Sequence, residues 1–204
     1  MCGRYTLIGP ARITSAFPQY RFEEFSEYRL PRFNVAPTQD VLAVCNDGTN
    51  DVRALRWGLG ERINARAETL ERRPMPWRCA IFADGFYEWR ERKPYYFTLA
   101  GNEIFTFAGI YEPGGGCAII TVPANDLVAA THDRMPAILL GEAQSAWLEP
   151  GDIDQQLASD LLVPLPSKTM RVRSASMRLN RARYDAPDVL IDDDPVQTSM
   201  FETD

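Results

Sequence analysis

The chain has 204 residues, 45% of them hydrophobic and 25% charged, enough apolar surface for a full core within one domain. No apolar run approaches the ~20 residues of a membrane span, and the N-terminus lacks the basic-then-apolar pattern of a secretory signal, so a cytosolic protein is expected. Four scattered cysteines without a C-x-x-C pair, and a single histidine, argue against zinc, a histidine-rich metal site and a disulfide framework.

The net charge of −6 disfavours a nucleic-acid binder, but it is unevenly spread. Residues 1–93 carry 15 basic and 12 acidic side chains, a net of +3, and residues 94–204 carry 7 and 16, a net of −9. Nearly all the basic residues are arginine, whose planar fork holds phosphate in a bidentate way. An acidic proteome with a habit of using arginine explains the excess equally well, so the placement of individual arginines has to decide.

In chain order, MCGRYTL reads as a strand, followed by Pro10 and a short helix over Ala11–Phe17. A proline-marked polar stretch from Pro18 through RLPRFNVAPTQ reads as an irregular loop. DVLAVCN and DVRALRWGL read as strands with Asp47-Gly48 turning between them. ERINARAETL enters a helix that the prolines of RRPMPWR break. CAIFADGFYEW, PYYFTLA and EIFTFAGIYE are strand-rich, with Gly101-Asn102 as a hairpin-type turn, and CAIITVPA is a further strand after the triple glycine. Asn125 suits a helix entry for DLVAATH; GEAQSAWLEP and DIDQQLASDLL are amphipathic helices, and MRVRSASM is a late strand.

From Asp185 onward there are seven acids and no base, so residues 191–204 are expected to form an acidic, disordered tail behind a single domain over 1–190. Strands dominate without βαβ alternation. The expectation is an α+β fold: a curved, mostly antiparallel sheet or pseudo-barrel with short flanking helices.

Taken together, MCGRY, the NARAET of Asn64–Thr69, the GFYEW of Gly85–Trp89, the HDRMP of His132–Pro136, NVAPTQ at Asn34–Gln39 and RWGL at Arg56–Leu59 resemble the SRAP (SOS-response-associated peptidase) family over residues 2–190. Members cross-link, through the residue matching Cys2, to abasic sites in single-stranded DNA. The resemblance implies catalytic roles for Cys2, Asn64, Glu88 and His132. It places Arg4, Arg66 and Arg134 on phosphates beside the lesion. Trp57, Trp89 and Pro37 are candidates to stack on bases or wedge against a duplex edge, since aromatic stacking binds single strands with little sequence preference, and Asn34 is a further candidate DNA contact. The partner would be single-stranded DNA with abasic sites, bound by a monomer without metal or organic cofactor.

Cys2 carries a chemical argument of its own. Methionine aminopeptidases trim Met1 when the next side chain is small, and trimming leaves an α-amine and a thiol on one residue. The amine adds to an aldehyde as a Schiff base, and the thiol then closes a five-membered thiazolidine, an intramolecular step whose entropy cost is largely prepaid. The ring-opened sugar of an abasic site offers such an aldehyde at C1′. With the amine near pKa ~8 and the thiol near ~8.5, polar partners must supply proton acceptors.

Asn64 is expected to hold the amine or thiolate. Glu88, flanked by Tyr87 and Trp89, is a candidate for a raised pKa and for acid–base work. His132 would transfer a proton to the departing C1′ or C4′ hydroxyl. Asp133 beside it would raise its pKa or repel a phosphate. Read singly, Asn64 fits a turn, Glu88 a water-facing strand position, His132 a bystander, the arginines surface ion pairs and the tryptophans core packing, Trp147 above all. The GLGERI between Trp57 and Asn64 is shorter than the extension expected in relatives, so one DNA-contacting aromatic would be absent. Two rival functions are a thiol peptidase acting on its own N-terminus and a non-covalent single-strand binder.

Overall fold

The structure is a computed structural model and describes residues 2–22, 30–70 and 74–192. Two sheets build it. The larger contains β3 (Asp40–Cys45), β4 (Val52–Trp57), β6 (Arg78–Ala83), β9 (Phe105–Tyr111) and β10 (Gly116–Pro123), paired β4–β3–β6–β9–β10. A parallel contact between β10 and β4, Gly116↔Arg56 and Cys117↔Trp57, returns to the first strand and closes these five into a ring. The α+β, mostly antiparallel, ring-like sheet agrees with the expected class.

Closure explains the composition. Strand β6 (RCAIFA) is buried at every position because both its faces are covered, so it reads as an unbroken apolar run. In strand β4, Arg53, Leu55 and Trp57 are more buried than Ala54 and Arg56 between them, the period-2 signature of one wet face. Gly116 sits where β10 enters beside β4, and a Cβ there would lie 2.1 Å from the Gly58 carbonyl oxygen, so the parallel closure requires glycine at this point.

The second sheet has the order β13–β8–β7–β1–β2, with β1 at Arg4–Leu7, β2 at Arg32–Val35, β7 at Gly85–Arg90, β8 at Lys93–Leu99 and β13 at Met170–Ser174. It packs on the ring through aromatic contacts: Tyr5 lies 5.5 Å from Trp57 and 5.6 Å from Phe107, centroid to centroid, and Phe86 meets Phe107 edge-on at 6.3 Å. Asp84, between β6 and β7, ties the two sheets. Its carboxylate accepts from Thr6 Oγ1 at 2.5 Å and from the Ile8 N–H at 2.6 Å.

Helix α1 (Pro10–Ala16) begins with proline, where the missing N–H costs nothing. Asn125 caps α3 (Asp126–Ala129) through Val128 N–H at 3.0 Å, as its side-chain chemistry predicts. Helices α4 (Glu142–Trp147) and α5 (Gln155–Leu161) fall where amphipathic segments were expected. Among the described residues no helix is long and apolar enough to cross a membrane.

Three sequence expectations need correction. The Gly101-Asn102 turn does not make a hairpin, because β8 and β9 belong to different sheets and the turn carries the chain between them. The Pro18–Gln39 stretch contains a strand, β2, held against β1 by Tyr5↔Val35 and Leu7↔Arg32. The helix expected in ERINARAETL is confined to the single turn α2 (Ala67–Leu70), and the strand β5 (Asn64–Arg66) precedes it. The breaker stretch falls partly outside the described residues and has no regular structure over 74–77. The acidic tail lies, beyond residue 192, outside the described residues.

Arg78 was unread in the sequence and is 0% exposed. Its guanidinium lies 5.6 Å from the Trp147 ring centroid and donates to the carbonyl oxygens of Trp147 (2.8 Å), Met75 (2.5 Å), Gly151 (2.8 Å) and Glu149 (2.5 Å). Arg78→Ala takes a donor from four carbonyls, of which, among the described residues, Gly151 alone keeps another in the Asn46 amide, and is expected to cost about 3–5 kcal/mol, measured as a lower urea midpoint at unchanged slope. An unshifted midpoint would show that the arginine is dispensable.

Candidate functional site

Cys2 lies two residues ahead of the first residue of β1, a strand paired on both sides. On one side β1 meets β7 with the register Arg4↔Tyr87 and Tyr5↔Phe86, so Glu88 lies alongside the chain just ahead of Arg4. Cys2 is 0% exposed and Glu88 2%. The two sense each other electrostatically, and both feel the positive amino terminus.

Asn64 reaches the same point from the ring. Strand β5 runs parallel to β10, with Asn64 opposite Ile119, and the Asn64 Nδ2 donates to the Cys2 carbonyl oxygen at 2.9 Å. The other end of that amide, Oδ1, is buried and has no hydrogen-bond partner among the described residues. An unsatisfied buried acceptor next to the first residues of the chain is costly unless a donor uses it, and the α-amine of a trimmed Cys2 is such a donor.

His132 comes from the far side of β10. Strand β11 (Arg134–Pro136) pairs antiparallel with β10, Pro123↔Arg134, and the His132 N–H donates to Val128 O at 2.9 Å. The ring is 28% exposed and its Nδ1 accepts from the Arg134 backbone N–H at 3.0 Å. Burial, followed by the charge of the amino terminus, holds the imidazole below its usual pKa; Asp133 opposes this and is outweighed. The expectation that Asp133 raises the histidine's pKa is correct for that one contribution and reversed for the net effect.

Burial pushes Glu88 up to about 7, and burial reinforced by the Glu88 carboxylate pushes the Cys2 thiol well up. Near neutrality the thiol therefore keeps its proton while a carboxylate close to half-ionisation sits within its field. That arrangement fits proton transfer from sulfur to Glu88.

The DNA-contact candidates divide by exposure. Arg66 is exposed at the end of β5, and Pro37 is half-buried. The Arg4 guanidinium lies 5.8 Å from the Trp89 ring centroid and donates to the Leu179 carbonyl at 3.4 Å; Trp89 Nε1 donates to Asn180 Oδ1 at 2.7 Å. Three others have internal partners. Trp57 is buried with its Nε1 on the Ile63 carbonyl at 2.9 Å, and Asn34 is buried with its Nδ2 on the Tyr184 carbonyl at 2.8 Å. Arg134, 7% exposed, donates to both Glu68 carboxylate oxygens at 2.5 and 3.0 Å and to the Thr121 carbonyl at 2.5 Å.

Sequence reasoning passed over Glu68 although it lies inside NARAET; an acid two residues beyond Arg66 was the available signal. The short GLGERI segment forms a tight turn closed by a Leu59↔Arg62 bridge. Cys45, Cys79 and Cys117 are buried free thiols. Among the described residues no group of His, Cys, Asp and Glu is placed to hold a metal ion.

Residues 1–182 match the family described as SOS response associated peptidase (SRAP). The chain is 35% identical over 224 aligned positions to the abasic site processing protein YoqW of Bacillus subtilis (strain 168), covering 93% of this chain and 99% of that one. It is 26% identical over 235 positions to the abasic site processing protein HMCES of Xenopus tropicalis, covering 85% of this chain and 69% of the relative. A crystal structure of a Bacteroides thetaiotaomicron protein shares the fold with a TM-score of 0.78 at 24% identity, over 93% of this chain and 99% of its own. A phage-related protein of Bordetella bronchiseptica does so with a TM-score of 0.69 at 25% identity, over 85% and 93%.

Proposed function

This chain belongs to the SRAP family, and from that premise we propose that it processes abasic sites by joining Cys2 covalently to the lesion in single-stranded DNA. The supporting observation is the convergence on Cys2 of Asn64 from the ring and Glu88 from the second sheet, two elements 24 residues apart in sequence.

The reaction follows from those groups. Removal of Met1 frees the Cys2 amine, which attacks the C1′ aldehyde of the opened sugar. Asn64 fixes the Cys2 backbone by its Nδ2 and offers Oδ1 to the amine. His132 protonates the departing hydroxyl, water leaves, and an imine remains. Glu88 takes the thiol proton, and the sulfur closes on the imine carbon. The product is a thiazolidine, which lacks the imine needed for β-elimination, so the strand stays intact. Burial of Cys2 keeps competing water from the imine.

The test is incubation of the purified protein with a single-stranded oligonucleotide bearing one abasic site. The expected result is a heat-stable adduct whose mass is that of protein lacking Met1 plus oligonucleotide minus one water, formed without borohydride. A product of non-covalent mass, or an adduct on protein that retains Met1, would overturn the reading.

A further inference from the structure

Two groups compete for one ring nitrogen of His132. The Arg134 backbone N–H lies 3.0 Å from Nδ1, and Asp133 Oδ1 lies 2.9 Å from the same atom. An amide N–H can only donate, so the first contact needs a lone pair on Nδ1; an ionised carboxylate can only accept, so the second needs a proton there. The two contacts therefore belong to different protonation states. In the neutral ring Nδ1 accepts from Arg134, and the single ring proton sits on Nε2. In the imidazolium Asp133 receives Nδ1–H, and Nε2 is protonated again.

We propose that Asp133 and the Arg134 backbone are positioning groups that hold His132 as an Nε2–H donor in both resting states, which leaves the role of base to Glu88. This rests on the reaction proposed above and divides its proton transfers between the two residues. The imidazolium gives its Nε2 proton to the departing hydroxyl oxygen, which leaves as water with the C–O bonding pair. It keeps Nδ1–H on Asp133 and is reprotonated from solvent.

The supports are firmly held. The Arg134 side chain is clamped by Glu68 and Thr121, and the Asp133 carbonyl accepts from the Ala124 N–H at 3.0 Å. The Asp133 side chain is 80% exposed and so lies in contact with the solvent that supplies protons. The charges acting on the ring are Asp133, which favours the imidazolium, and the amino terminus and Arg134, which oppose it. Across the site, Glu88 on β7 also feels Asp133.

His132 is the only histidine, so a long-range proton–nitrogen correlation spectrum of the DNA-free protein shows one imidazole. Titration over roughly pH 5 to 9 is expected to show the Nε2–H tautomer throughout the neutral range. Asp133→Asn should leave that tautomer unchanged, move the titration midpoint to lower pH, and move the acid-side limb of the adduct-formation pH profile by the same amount; Asp133→Glu should restore both. An Nδ1–H or mixed tautomer in the neutral wild type, or a midpoint unmoved in Asp133→Asn, would overturn the proposal. Absence of any adduct at all pH values would instead strike the abasic-site reading, because the spectrum is recorded without DNA.

Discussion

Cys2→Ala is expected to abolish the heat-stable adduct while leaving a Schiff base that borohydride can trap. Alanine is small enough for Met1 to be trimmed, so the variant keeps the α-amine and loses only the sulfur. The amine still reaches C1′, but the imine has no neighbouring nucleophile to close on it. Intramolecular closure benefits from effective molarities of ~10⁵ M and above, so external thiols at millimolar concentration do not replace it, and the persistent product should fall by more than about a thousandfold. With the imine left open, strand cleavage should rise above that of wild type. Parallel denaturing gels with and without borohydride read both outcomes, and an equally persistent adduct from the variant would remove sulfur from the mechanism.

Glu88→Gln should slow adduct formation by roughly 10²–10⁴-fold, the usual contribution of a positioned acid–base group, and at the same time stabilise the fold at alkaline pH. The sign follows from linkage. Burial raises the folded-state value from an ordinary 4.5 to about 7. Below pH 4.5 both folded and unfolded chains hold this proton and the group costs nothing. As pH rises, the unfolded chain releases the proton first, and the advantage of the protonated folded state is lost by about pH 7. The full difference corresponds to about 3 kcal/mol. Urea unfolding at acid and alkaline pH should therefore show wild type weakening with pH through this window and the glutamine variant flatter and more stable on the alkaline side. The variant's rate profile should also lose its inflection near neutrality. A variant less stable than wild type at alkaline pH would contradict the burial argument.

Much of the architecture is written locally. The alternation in DVRALRW and the unbroken apolar runs of CAIFA and FTFAGIY identify strands because half-buried and doubly buried strands leave different patterns. Pairing is less visible. Nothing near Gly101-Asn102 tells whether its flanking strands meet, since β9 chooses β6 and β10 while β8 chooses β7 and β13. Strand β2 is hidden in a proline-marked stretch because its support is remote: Asp185 accepts from the Phe33 and Asn34 backbone N–H groups at 2.6 and 3.0 Å.

The site divides in the same way. The motifs name Cys2, Asn64 and Glu88, and the geometry joins them. Exposure is not written in a motif, so Trp57 and Trp89 look alike in sequence while one is sealed in the core and the other is only partly covered. Arg134 looks like a free cation until Glu68, 66 residues earlier, closes on it. The proximity of Asp133 to His132 is legible; the burial that outweighs it depends on strands folded around the ring.

The position of Cys2 just ahead of a strand flanked on both sides also bears on how the protein must be made. Under the proposed mechanism, an affinity tag or fused partner upstream of this residue would convert the α-amine that attacks the aldehyde into an amide. Recombinant material carrying such a leader should be inert toward aldehydes until a protease that leaves cysteine first has removed it.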